Sequence, residues 1–97
     1  MFARTTTIQF KIAFIDEALE VYTNSIVPAA QAQKGFVELK FLLDRSSGKA
    51  MAIAIWETEK DARANEESLY YQEQLIKLRS FYANPPIKEG FEIAHQV

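Results

Sequence analysis

The sequence predicts an α+β fold of the ferredoxin-like type, β-α-β-β-α-β with a four-stranded antiparallel sheet, and three observations carry that prediction. Apolar residues recur with period 2 in residues 6–14, 36–44, 49–56 and 87–97. In residues 15–34 and 59–82 they recur at spacings of three and four, the repeat of a helix with one buried face. A chain of 97 residues has room for one domain, here 1–97, so the six segments are expected to share one core.

Each element has its own signals. The first strand sets Ile8, Phe10, Ile12 and Phe14 on one face and Thr7, Gln9 and Lys11 on the other. In the first helix Ile15, Leu19, Tyr22, Ile26 and Ala29/Ala30 form the apolar stripe. Asp16, Glu17 and Glu20 sit where carboxylates offset the positive end of the helix dipole. Pro28 lacks an N–H and predicts a kink or a fresh turn, and Gly35 suits a left-handed cap. Val37, Leu39, Phe41 and Leu43 share one face of the second strand, which turns through Arg45-Ser46-Ser47-Gly48 into the third. That third strand carries Met51, Ile53 and Ile55 on one face and Ala50, Ala52, Ala54 and Trp56 on the other. Neither face is polar, so both need cover. Thr58, with Asp61 three residues on, opens the second helical region, and Ser68 is placed to split it as a new N-cap. Asn84-Pro85-Pro86 stops it, and Phe91 and Ile93 alternate against Glu92 in the last strand. Two helices cover only one face of such a sheet. The apolar character of the other predicts a homodimer paired through the sheet faces.

Composition excludes several classes. Eleven basic and 13 acidic residues give a net charge of −2, against the basic face of a nucleic-acid binder. The longest unbroken apolar run, residues 50–56, is far below the ~20 residues of a membrane span. No secretory signal is visible at the N-terminus, so a cytoplasmic protein is expected. With no cysteine and one histidine, the usual zinc ligand sets and a thiolate nucleophile are absent. Ser47-Gly48-Lys49-Ala50 lacks the leading glycine and closing Ser/Thr of a phosphate loop.

A set of short segments resembles the antibiotic biosynthesis monooxygenase (ABM) domain family of dimeric α/β barrels. These are Gln33-Lys34-Gly35-Phe36, the hairpin with Asp44 and Gly48 at its turn, Ile55-Trp56-Glu57-Thr58 leading into Asp61-Ala62, and Ser68-Leu69-Tyr70-Tyr71. The Trp-Glu-Thr followed by an acidic-Ala helix start is the most specific of them, and the likeness spans nearly the whole chain. It implies a homodimer with a pocket in each subunit between sheet and helices, and oxidation of small aromatic or quinol-like molecules, often with no cofactor. The chain also departs from the family's patterns. Ala52 stands where polyketide-oxidising members place an Asn. Thr7 and Gln9 stand on the strand where haem-degrading members use an Asn, and the second helix has neither Trp nor His. Asn65 stands where quinol-processing members often carry a His, and an amide cannot act as a base near neutral pH.

The site expected from these residues comprises Asn65, Tyr71 and His95 as catalytic groups and Trp56 and Tyr70 as substrate contacts, with no cofactor and no metal. Each has a plainer alternative. Trp56 is either an aromatic wall for a flat ligand or a core residue at a strand end. Asn65 either orients a ligand oxygen or is one more polar residue among Arg63, Glu66 and Glu67. Tyr70 and Tyr71 point about 100° apart on a helix, so at most one enters a pocket. His95, the sole histidine, is the obvious base by chemistry but lies near the C-terminus, on an edge strand or at an interface. Two functions compete: an ABM-like oxygenase acting on an aromatic or quinol-like substrate, and a non-catalytic dimeric module that binds a small apolar ligand or a partner.

Overall fold

The computed structural model describes residues 1–97. Four strands, β1 (Phe2–Gln9), β2 (Phe36–Asp44), β3 (Lys49–Trp56) and β4 (Ile87–Glu92), form one antiparallel sheet in the order β2-β3-β1-β4. This is the order of two interleaved split β-α-β units, as the sequence predicts. One helical layer covers a single face. It is built from α1 (Ile15–Val21), a π-helical turn (Tyr22–Ile26), α2 (Val27–Gln31), α3 (Glu59–Glu67) and α4 (Leu69–Ile76).

Register decides which side chains meet the helices. β1 pairs with β3 so that Arg4 faces Ala54, Thr6 faces Ala52 and Ile8 faces Ala50, and with β4 so that Thr6 faces Lys88. These residues, with Leu39, Phe41 and Leu43 of β2, line the helix side. Between sheet and helices, Ile8, Phe10, Ile15, Ala18, Tyr22, Ile26, Ala50 and Leu78 form the buried core. The other side of the sheet has no covering layer. It presents Ala3, Thr5 and Thr7 of β1, Met51, Ile53 and Ile55 of β3, Leu42 of β2, and Ile87 and Phe91 of β4, the last three exposed.

The boundaries differ from the sequence reading in places that have physical causes. β1 starts at Phe2 and ends at Gln9, because Phe10 keeps only an isolated bridge to Tyr82 and residues 12–14 coil into a 3-10 turn. Ile8 and Phe10 therefore point into the core, whereas Ile12 and Phe14 are exposed, Phe14 resting on Phe81. Pro28 falls in the first turn of α2, directly after the π turn. There the Val27 N–H donates to the Tyr22 carbonyl five residues back, and the widened turn accommodates a residue that has no N–H to give. A register shift between Phe36 and Glu38 leaves Val37 exposed instead of on the face of Leu39, Phe41 and Leu43. β4 stops at Glu92, so the last strand is shorter than residues 87–97.

The predicted caps and turns form. The Asp61 N–H donates to Thr58 Oγ1 at 3.0 Å, and the Tyr71 N–H donates to Ser68 Oγ at 3.3 Å, which separates α3 from α4 at Ser68. Gly35 has φ 84°, and a Cβ there would collide with the Asp61 carboxylate. In the hairpin, Asp44 accepts hydrogen bonds from the Ser46 and Ser47 hydroxyls, which hold its carboxyl below the usual range.

Candidate functional site

The helix layer does not close completely on the sheet. A cavity of about 510 Å³ lies between them, within the size range of small-molecule sites. Its floor is Thr6 of β1, Leu39 of β2 and Ala52, Ala54 and Trp56 of β3. The space exists because β3 turns alanines toward the helices where larger residues would fill the gap. Its roof is α3 and α4, and the segment from Leu78 to Pro86 forms one rim. Trp56 is fully buried at one end, its ring edge-on to Phe36 with centroids 5.7 Å apart.

Local structure aims the polar groups. Ala62, Asn65 and Glu66 fall at spacings of three and four on α3 and so share its sheet-facing side. Arg4 of β1 clamps Glu66 through one guanidinium edge, Nε donating to Oε1 and Nη2 to Oε2 at 2.7 Å, which fixes this helix face against the sheet. Asn65 is only 4% exposed, and its side-chain oxygen Oδ1 has no hydrogen-bond partner. Buried carbonyl oxygens are nearly always paired, and one left bare costs about 1–3 kcal/mol. The Ser68 cap starts α4 so that Tyr71 enters the cavity, while Tyr22 comes from the π turn and Tyr82 from the chain after α4. Tyr22 is braced on Phe41, with ring centroids 4.2 Å apart.

Burial governs the three phenols. It pushes Tyr71 up to about 12, against the opposing pull of the neighbouring Asn65 side chain. Burial also raises Tyr22, with Tyr71 and Tyr82 beside it adding to the effect, and burial raises Tyr82. All three stay protonated at neutral pH and can donate a hydrogen bond. The cavity lining thus combines apolar walls and phenolic donors with the Asn65 amide and the charged Arg79 and Lys88, a set suited to a flat molecule carrying oxygen substituents. No three His, Cys, Asp or Glu side chains converge anywhere in the chain as a metal site would require.

Three of the five residues expected from the sequence come together in this cavity: Trp56, Asn65 and Tyr71. Two do not. Tyr70 points outward and is 56% exposed, as the 100° step from Tyr71 demands. His95 is exposed, lies beyond the end of β4 and does not line the cavity of its own chain. Tyr22 was readable in the sequence only as a core residue, since helical spacing does not separate a packed ring from a cavity-lining one. Tyr82 gave no signal beyond its position at the end of an apolar repeat.

The fold and the cavity define a class. The chain has the fold of the antibiotic biosynthesis monooxygenase domain, so the resemblance read from its motifs holds at the level of structure. SnoaB of Streptomyces nogalater, described as a cofactor-independent oxygenase, matches with a TM-score of 0.85 and 16% identity over 99% of this chain and 95% of its own. The ActVA-Orf6 monooxygenase of Streptomyces coelicolor, solved with nanaomycin D, matches with a TM-score of 0.82 and 18% identity over 99% and 89%. NE2512 of Nitrosomonas europaea, of unknown function, matches with a TM-score of 0.81 and 16% identity over 99% and 91%. No family model matches the sequence. Among curated proteins, the uncharacterized Rv2557 of Mycobacterium tuberculosis is 31% identical over 97% of this chain. The uncharacterized Rv2558 of the same organism is 34% identical over 69% of it. The chain spans 41% of the length of Rv2557, and its match to Rv2558 covers 28% of that protein.

Proposed function

We propose that the chain is an ABM-type oxygenase for a hydroxylated, electron-rich aromatic molecule, active as a homodimer paired through the uncovered sheet faces. The observation that carries the reading is the bare Oδ1 of buried Asn65, a residue that lines a cavity of apolar, phenolic and charged side chains. A ligand hydroxyl that donates to it removes the cost of the unpaired acceptor, and a ligand without one leaves that cost in place. SnoaB and ActVA-Orf6 support the choice of chemistry through the shared fold alone.

The reaction balances with molecular oxygen as the second substrate. The enol form of a ring CH2 next to a conjugated carbonyl loses its proton to water and passes one electron to O2. The carbon radical and superoxide combine to form a C–O bond, and a proton completes the hydroperoxide. Loss of water then breaks the O–O bond and takes the hydrogen from the same carbon. Overall, CH2 and O2 become C=O and H2O. Tyr71 Oη–H donates to the oxygen that bears negative charge along this path, and Trp56 and Leu75 supply apolar wall.

One observation favours a second reading, a non-catalytic dimeric binding module. Glu66, the carboxylate that lines the cavity, is held by Arg4, and His95 lies outside, so no free base faces a ligand. Oxygen consumption separates the two. Purified protein with a panel of quinols and anthrones under air is expected to take up oxygen faster than buffer in an electrode cell. A baseline equal to buffer across the panel, with binding still measurable, selects the binding module.

A further inference from the structure

We propose that the ligand is an anion: a flat hydroxylated molecule that also bears a carboxylate or equally acidic group, which faces Arg79 and Lys88 at the mouth of the cavity. This rests on the reading that a ligand hydroxyl pairs with Asn65. The cavity wall carries Arg4, Arg79 and Lys88 against one acid, Glu66. Arg4 and Glu66 neutralise each other through two hydrogen bonds. Arg79 and Lys88 make no ion pair and no side-chain hydrogen bond within the chain. A chain of net charge −2 therefore surrounds its cavity with uncompensated positive charge.

Placement makes these two cations part of the site. Lys88 lies opposite Thr6 in the sheet register, which puts it on the helix side of β4, whereas Ile87 and Glu89 take the other side. Arg79 comes from the 3-10 turn after α4, a different element, and lines the same cavity. Both are exposed while Asn65 is buried, so the cations lie nearer solvent than the amide among the residues that line the cavity. A ligand that satisfies both ends is polar at each tip and apolar in between, matching the Trp56 and Leu75 walls. Charges of one sign around a low-dielectric cleft raise the local concentration and the on-rate of a counter-charged ligand.

Three naphthalene probes test this by titration calorimetry at neutral pH: 6-hydroxy-2-naphthoate, its methyl ester, and 2-naphthoate. At an ionic strength of about 0.02 M the hydroxy acid is expected to bind roughly three- to tenfold more tightly than its ester, the range of one or two exposed ion pairs, and the gap narrows near 0.5 M salt. Lys88→Gln and Arg79→Gln each weaken the acid and leave the ester unchanged. Equal binding of acid and ester, or variants that weaken both alike, overturns the anion site while the Asn65 reading survives. A hydroxy acid that beats its ester but not 2-naphthoate supports the anion site and removes the Asn65 pairing. No binding by any probe overturns both.

Discussion

On the proposed reading the unpaired Asn65 oxygen carries a cost that a ligand hydroxyl would remove, and this would separate it from an ordinary buried polar residue. Replacing it by Leu eliminates the bare acceptor, so the melting temperature of the ligand-free protein is expected to hold or rise. Affinity for a hydroxylated aromatic is expected to fall about tenfold, from the loss of a hydrogen bond worth about 1 kcal/mol and of the shape around it. A residue kept only for packing would show the reverse, a lower melting temperature with unchanged binding; scanning calorimetry and titration read both. At this scale the sequence was only partly legible. Asn65 could be placed by resemblance, but Arg63, Glu66 and Glu67 around it made it look like one more solvated residue. Its burial follows from helix phase together with the clamp between Arg4 and Glu66, a contact across 62 positions that no local pattern encodes. His95 is the opposite case. Its chemistry suggested a base, but pairing with β1 ends before its position.

Elements were more legible, because their signals are local. Thr58, Ser68, Gly35 and Gly48 each sit where a cap or turn forms, and alternation identified the hairpin strands except at Val37, where the register shifts. What local signals could not supply was the start of β1. Residues 2–6 show weak alternation, and they become a strand because β3 on one side and β4 on the other pair with them. The π turn was equally hidden: Pro28 announces a disturbance, and packing of Tyr22 on Phe41 accompanies the widened turn just ahead of it. The cap at Ser68 matters for the site because it sets the phase in which Tyr71 enters the cavity. Ser68→Ala is expected to lower stability by about 1 kcal/mol and Ser68→Gly by only a few tenths, measured by urea unfolding. Equal losses would mean that the hydroxyl does not cap α4.

For the molecule as a whole, the uncovered sheet face and the buried phenols make separate demands. If two copies pair through Ile53 and its neighbours, sedimentation at micromolar concentration gives twice the 11.1 kDa chain mass, and Ile53→Asp returns it to one. A wild-type chain that sediments as a monomer would remove the pairing. High pH tests the phenols. Tyrosines of the unfolded chain ionise near 10, whereas Tyr22, Tyr71 and Tyr82 hold their protons longer when folded, Tyr71 up to about 12. The folded chain thus binds more protons than the unfolded one in that window. Their contribution is complete below pH 10 and is lost as pH rises through the folded values, so the melting temperature should fall over that range. A flat profile from pH 9 to 12 would show the phenols to be hydrated. The alanines of β3 have a consequence of their own. Because the hollow is made by missing methyl groups on a strand whose backbone is fully paired, enlarging Ala52 or Ala54 would plug it stepwise without touching the exterior. On the proposed function, selection for a different guest could therefore proceed by single codon changes at two positions, each acting as a gauge on how long a molecule would fit.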